Sequence, residues 1–159
     1  YKIKDSKKLN WKSRKELANF IKKNCVAYSI KNINSKKIDE INILNSSILA
    51  MHKCLDEIDI KPEFIIVDGN KFKAYKDIPH KTIIKGDDKY LSIAAASILA
   101  KDFRDDFMIK LDKKYPNYLW KKNKGYPTKS HREAIKKIGI TKFHRKTFSL
   151  YDKQLKMDI

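Results

Sequence analysis

Phe64-Ile65-Ile66-Val67-Asp68-Gly69-Asn70 is an unbroken apolar run, preceded by Pro62 and closed by turn-forming residues. It lacks the every-other-residue polarity of a half-exposed strand, so it predicts a strand buried on both faces. Such a strand belongs to a sheet covered by helices. Thr82-Ile83-Ile84-Lys85-Gly86-Asp87 is a second, shorter strand candidate. A third, half buried, is expected from Cys25 to Ile33, where Val26, Tyr28 and Ile30 alternate with smaller or polar neighbours.

Helical spacing occupies most of the remaining chain. Leu17, Phe20 and Ile21 mark a short amphipathic helix from Ser13 to Asn24. Ser35 is placed to cap a longer one, in which Ile38, Ile41, Leu44, Ile48, Met51 and Leu55 recur at threes and fours. From Tyr90 to about Lys113 a third helix opens with the small-residue block Ile93-Ala94-Ala95-Ala96-Ser97-Ile98-Leu99-Ala100, which lets other backbones approach closely, and continues into a charged, solvated half. Tyr115-Pro116-Asn117-Tyr118 ends it. Lys121 to Thr128 reads as a basic, aromatic loop, and Ser130 to Ile138 as a last helix stopped at Gly139. This order predicts an α/β chain, a mixed sheet flanked by helices.

At 159 residues with 42% hydrophobic content, the chain is expected to close a single core. No apolar run reaches the ~20 residues needed to cross a bilayer, and no secretory signal opens the sequence. A soluble, cytoplasmic protein is expected. Cys25 and Cys54 lack metal-ligand spacing and read as reduced thiols. The four histidines show neither an HxxxH-like pair nor a partnered nucleophile, which argues against zinc and triad chemistry.

The net charge of +18 points to a polyanionic partner, because lysines along a phosphate backbone release condensed counterions. A solvated lysine surface is the competing reading, since 33 of the 37 basic residues are Lys. Arg14, Arg104, Arg132 and Arg145 stand out because they persist where Lys is the default.

Asp68 and Asp87 each close an apolar strand in this reading, at the edge where α/β sheets present ligand groups. Two carboxylates there suit Mg²⁺ or Mn²⁺, hard cations that activate water toward phosphate. Asp68-Gly69 and Asp87-Asp88 are equally ordinary turn pairs. Asp105 lies on the third helix, with a structural charge as its default role. Tyr126, between Gly125 and Pro127 in a lysine-rich loop, could stack on a sugar or base, or pack back on the core. Ser6-Lys7-Lys8 is either a phosphate clamp or a solvated lead-in to the first helix.

Together, Asp5-Ser6-Lys7-Lys8-Leu9, Ile38-Asp39-Glu40-Ile41-Asn42-Ile43-Leu44, Val67-Asp68-Gly69-Asn70, Lys85-Gly86-Asp87, Ile93 to Lys101, Lys124-Gly125-Tyr126-Pro127-Thr128 and His144-Arg145-Lys146-Thr147-Phe148 resemble the successive motifs of bacterial ribonuclease HII, in the same order. The resemblance covers residues 5 to about 149. It implies a ribonuclease H-like fold over residues 1–159, with about 141–159 a C-terminal helical extension. It also implies a metal-dependent endonuclease, using Mg²⁺ or Mn²⁺, that cuts the RNA strand of RNA/DNA hybrids and cuts at ribonucleotides embedded in duplex DNA, as in DNA repair. The expected products are a 3′-hydroxyl and a 5′-phosphate, and the expected state is a monomer with no membrane partner.

By the same resemblance Asp68 and Asp87 are catalytic metal ligands and Asp105 a possible additional acid. Tyr126 packs against the ribose at the RNA-to-DNA junction, and Lys7, Lys8 and Asn42 contact the nucleic-acid backbone. The family's opening Asp-Glu pair and Gly-Arg-Gly have no counterpart here. With Tyr1 in place of Met, the expectation is an excerpt whose first strands lie upstream. The alternative is a degenerate homologue that binds nucleic acid without cutting it.

Overall fold

The computed structural model describes residues 10–148. Helix α1 runs Trp11–Asn24, α2 Ser35–Glu57, strand β1 Ile65–Asp68, β2 His80–Ile83, α3 Gly86–Lys89, α4 Leu91–Lys114, a 3₁₀ turn Pro116–Tyr118, α5 Trp120–Asn123 and α6 Lys129–Ile138. Three of the helices start where side chains supply the missing acceptors. Asn10 Oδ1 accepts the Ser13 N–H at 2.9 Å to open α1, and Thr128 caps α6 through the His131 N–H. Asn34, one residue before the expected cap, opens α2 by accepting the Lys37 N–H at 2.8 Å.

Several sequence expectations fail, among them the loop expected from Lys121, whose first residues Lys121–Asn123 instead close the short helix α5. The long helix α2 is broken at Asn42, which adopts φ 64° and ψ 169°, a backbone region that side chains other than glycine rarely enter. Asn42 Oδ1 then accepts the Asn45 N–H at 3.0 Å and starts the helix afresh. Apolar spacing continues through the break, which hides it. The strand expected at Cys25 to Ile33 is an irregular segment, with Val26 86% exposed. A strand exists only against a ladder partner, and none among the described residues pairs with it.

The chain divides into two compact units. The first comprises the chain up to Asn32 together with Ile48–Phe103. Its sheet is β1 beside β2, parallel, with Ile65 opposite His80 and Asp68 opposite Ile83. Among the described residues the sheet is parallel, and the antiparallel bridge Tyr75–Ile78 is a turn in the connection between its strands, outside the sheet. Ile65 and Val67 point into a core with Tyr75 and Ile78, flanked by Met51, Leu55 and Phe72, while Ile66 on the other face is only half buried. A second core joins Leu17, Ala18 and Ile21 of α1 to Ile98 and Leu99 of α4, where the small-residue block allows close packing. Asp102, 3% exposed, ties α1 to α4 by pairing with Lys15 at 3.4 Å and Lys22 at 3.6 Å.

The second unit comprises Ile33–Ser47 and the chain from Arg104 onward. Its core is aromatic: Tyr118, Trp120, Leu111 and Ile135 are buried, with Phe107, Tyr115 and Phe143 packed against them. Tyr118 and Trp120 stack at 4.9 Å between ring centroids, and the buried rings of His131 and His144 stack at 5.4 Å. Both cysteines are unpaired thiols, partly buried. No helix among the described residues is long and apolar enough to cross a membrane.

Candidate functional site

In the first unit, Asp68 is the last residue of β1, exposed at the carboxyl edge of the sheet as expected. Asp87 is displaced from its expected place. Strand β2 ends at Ile83, so Asp87 stands in the one-turn helix α3 that follows, 7% exposed, rather than on a strand end. What links Asp68 to this turn is a backbone contact: its Oδ1 accepts the Gly86 N–H at 2.8 Å, one residue before Asp87. A side chain at Gly86 would have to displace the tip of Ile93. A Cβ there would stand 2.7 Å from Ile93 Cδ1 and 3.4 Å from Asp68 Oδ1, with the Ile83 side chain at 3.5 Å behind it. The sheet register, which sets Asp68 opposite Ile83, delivers the carboxylate to this turn.

The donor set is hard oxygen, the chemistry that Mg²⁺ and Mn²⁺ prefer over zinc or copper. It is a partial set. Among the described residues no three or more His, Cys, Asp or Glu gather as a metal-holding group.

In the second unit, Tyr126 is 64% exposed, so the packed-core alternative for this ring does not hold. Its loop is held by the backbone instead. Asn123, buried, donates from Nδ2 to the Tyr118 carbonyl at 2.7 Å and accepts the Gly125 N–H at 2.8 Å. Tyr126 N–H donates to the Asn123 carbonyl, and Thr128 N–H to the Tyr126 carbonyl, each at 2.8 Å. Asp105, 9% exposed on α4, lies 4.0 Å from Lys124 Nζ in an ion pair. Asn42 is exposed at the break of α2. Lys7 and Lys8 lie outside the described residues.

Sequence reasoning assigned no role to Asp39, which organises the His144–Phe148 motif. Its carboxylate accepts the Lys146 N–H at 2.8 Å, the Thr147 N–H at 3.1 Å and the Thr147 hydroxyl at 2.6 Å. The hydroxyl bond is the largest cause holding the Asp39 carboxyl below the usual carboxylate range. The turn it fixes lays the Arg145 guanidinium 4.6 Å from the Phe148 ring centroid. No local signal could reveal a contact spanning 107 residues.

The Ribonuclease HII family profile matches residues 1–151 of this chain. The chain belongs to the ribonuclease HII family. It is 58% identical over 156 residues to the ribonuclease HII of Christiangramia forsetii, a match covering 98% of this chain and 79% of that one. The ribonuclease HII of Parabacteroides distasonis is 52% identical over 153 residues, covering 96% and 77%. Among solved structures, ribonuclease H2 from Pyrococcus horikoshii OT3 superposes with a TM-score of 0.79 at 26% identity, over 94% of this chain and 78% of that one. The ribonuclease HII in the PCNA complex from Archaeoglobus fulgidus gives 0.75 at 26% identity, over 95% and 80%. The ribonuclease H-like α/β fold and a ribonuclease H endonuclease class follow for this member of the ribonuclease HII family.

Proposed function

We propose that this chain carries part of a divalent-metal endonuclease site that hydrolyses the RNA strand of RNA/DNA hybrids and cuts at single ribonucleotides in duplex DNA, leaving a 3′-hydroxyl and a 5′-phosphate. The observation that carries this reading is the Asp68 carboxylate fastened to the Gly86 N–H beside the buried Asp87. Asp68 and Asp87 would hold Mg²⁺ or Mn²⁺. A bound ion supplies the Lewis acidity that makes water nucleophilic near neutral pH and steadies the leaving oxygen.

The chain's own residues do the positioning. The Gly86 N–H fixes one carboxylate oxygen of Asp68 and leaves the other free to face a ligand. Tyr126, exposed on a hydrogen-bonded loop, offers a flat face to the ribose at the junction, a natural point for sensing the 2′-hydroxyl. Lys7, Lys8 and Asn42 would contact the nucleic-acid backbone. Asp105, engaged with Lys124, serves as a supporting charge rather than a ligand.

The test is nicking of a duplex with one embedded ribonucleotide, in Mg²⁺ or Mn²⁺, by wild type and Asp68→Asn. The variant should lose more than about a hundredfold in rate, beyond what removing a group that only orients a ligand costs. Full-rate nicking by Asp68→Asn would refute the site. The partial ligand set favours one other reading, a homologue that binds hybrids without cutting them. That reading predicts tight binding with no metal-dependent nicking by wild type.

A further inference from the structure

The loop bearing Tyr126 carries a conformational cost that its tyrosine does not repay. Lys124 at φ 51° and Gly125 at φ 79° are consecutive left-handed residues, unfavourable for a lysine in particular. The Tyr126 ring is too exposed for packing to hold it. Two of the four arginines in this lysine-dominated chain close on the loop from its two sides. From α4, Arg104 Nη2 donates to the Lys124 carbonyl at 2.9 Å, and its Cζ lies 5.9 Å from the Tyr126 ring centroid. From α6, Arg132 Nε donates to the Pro127 carbonyl at 3.3 Å. The loop backbone also lies close on α4, since a Cβ on Gly125 would come 3.1 Å from Met108 Cε and 3.4 Å from Arg104 Nη2.

We propose that Arg104 and Arg132 are positioning residues that brace the loop at the residues flanking Gly125-Tyr126 and so set the ring for ribonucleotide discrimination. This rests on the reading of Tyr126 as the ribose-facing group. The chemistry explains why arginine persists at both positions. A planar guanidinium offers several N–H donors in a fixed plane, so Arg104 binds a carbonyl with one nitrogen while its face or edge remains near the ring. A lysine ammonium keeps the charge but cannot do both at once. The brace therefore depends on the shape of the cation and not on its sign.

The experiment compares full-chain wild type, Arg104→Lys, Arg132→Lys, Tyr126→Ala and the Arg104→Lys/Tyr126→Ala pair. In metal-free buffer, fluorescence anisotropy gives the ratio of affinities for a duplex with one ribonucleotide over the same all-DNA duplex. Each Arg→Lys change should lower that ratio roughly five- to tenfold, within the range that stacking contributes, with an unchanged slope of log affinity against log salt. In the Tyr126→Ala background Arg104→Lys should lower it no further. Amide hydrogen exchange at Tyr126 and Thr128 should speed up in both lysine variants, while Ile135, in the core of the same unit, stays protected and reports an intact fold.

A lowered ratio in Tyr126→Ala alone, with the arginine variants and their exchange like wild type, overturns the brace and leaves the tyrosine reading standing. An unchanged ratio in Tyr126→Ala overturns the tyrosine reading, and the role in discrimination with it. Arg104→Gln and Arg132→Gln, which remove the charge, complete the set: a salt slope reduced by about one in either would make that arginine a phosphate contact and refute the proposal.

Discussion

Gly86 shows how much a site can depend on a side chain that is not there. Its N–H anchors Asp68, and the tip of Ile93 stands 2.7 Å from the place a Cβ would occupy, with Asp68 and Ile83 in contact behind it. Gly86→Val should destabilise the fold by about 1–3 kcal/mol through overpacking and weaken nicking by pushing Asp68 away, measured by urea unfolding beside the nicking assay. Wild-type nicking in a folded Gly86→Val chain would mean that the anchored geometry is dispensable. The stacked histidines set a different dependence. Burial lowers the His131 value from its ordinary 6.5, and burial, then the neighbouring His131, lowers that of His144. Between those lowered values and 6.5 the unfolded chain binds protons that the native chain refuses, so stability rises with pH across this window and is lost as pH falls through it. Urea midpoints at pH 7.5 and 5.5 should therefore differ, the acid one lower. A double His131→Gln/His144→Gln variant that keeps the full difference would place the effect elsewhere.

Among elements, those set by their own residues were legible in the sequence. α1 follows its apolar spacing, α6 its stop at Gly139 and α4 its small-residue block, while the caps Asn10 and Thr128 open α1 and α6 two residues and one residue before the starts expected at Ser13 and Ser130. Asp68 was legible for the same reason, because a continuous apolar run ends there. Asp87 was placed on a strand since Thr82 to Ile84 looks extended, yet ladder pairing stops at Ile83 and Lys85 turns left-handed at φ 55°. The break at Asn42 was hidden because Ile41 and Leu44 keep helical spacing on both sides of it. Strain of that kind persists where surrounding structure holds it and gathers at functional positions, which supports the role proposed for Asn42 on the nucleic-acid backbone. Asn42→Val should cost about 1–3 kcal/mol, having lost the cap and gained a β-branched side chain in a glycine-like conformation. Asn42→Gly should keep wild-type stability within a few tenths of a kcal/mol while weakening hybrid binding. A stable Asn42→Val in denaturant titration would disprove the strain.

For the molecule as a whole, the charge of +18 is the property the sequence left most open. If the lysines meet phosphate, log affinity against log salt should slope more steeply than about −3, more than three contacts at roughly −0.9 each. A flat line would identify the lysines as a solvated surface. The two compact units add a practical consequence, because the chain has two tryptophans and one falls in each. Trp11, 52% exposed, belongs to the unit with Asp68 and Asp87, and Trp120, 3% exposed, to the unit with Tyr126. Trp120 should emit at shorter wavelength than Trp11. A Trp11→Phe chain thus reports the unfolding of the tyrosine-bearing unit alone, and a Trp120→Phe chain that of the aspartate-bearing unit. Their two melting curves reveal whether the two units unfold together or in sequence, and the buried histidines place their share of the acid sensitivity in the Trp120 unit.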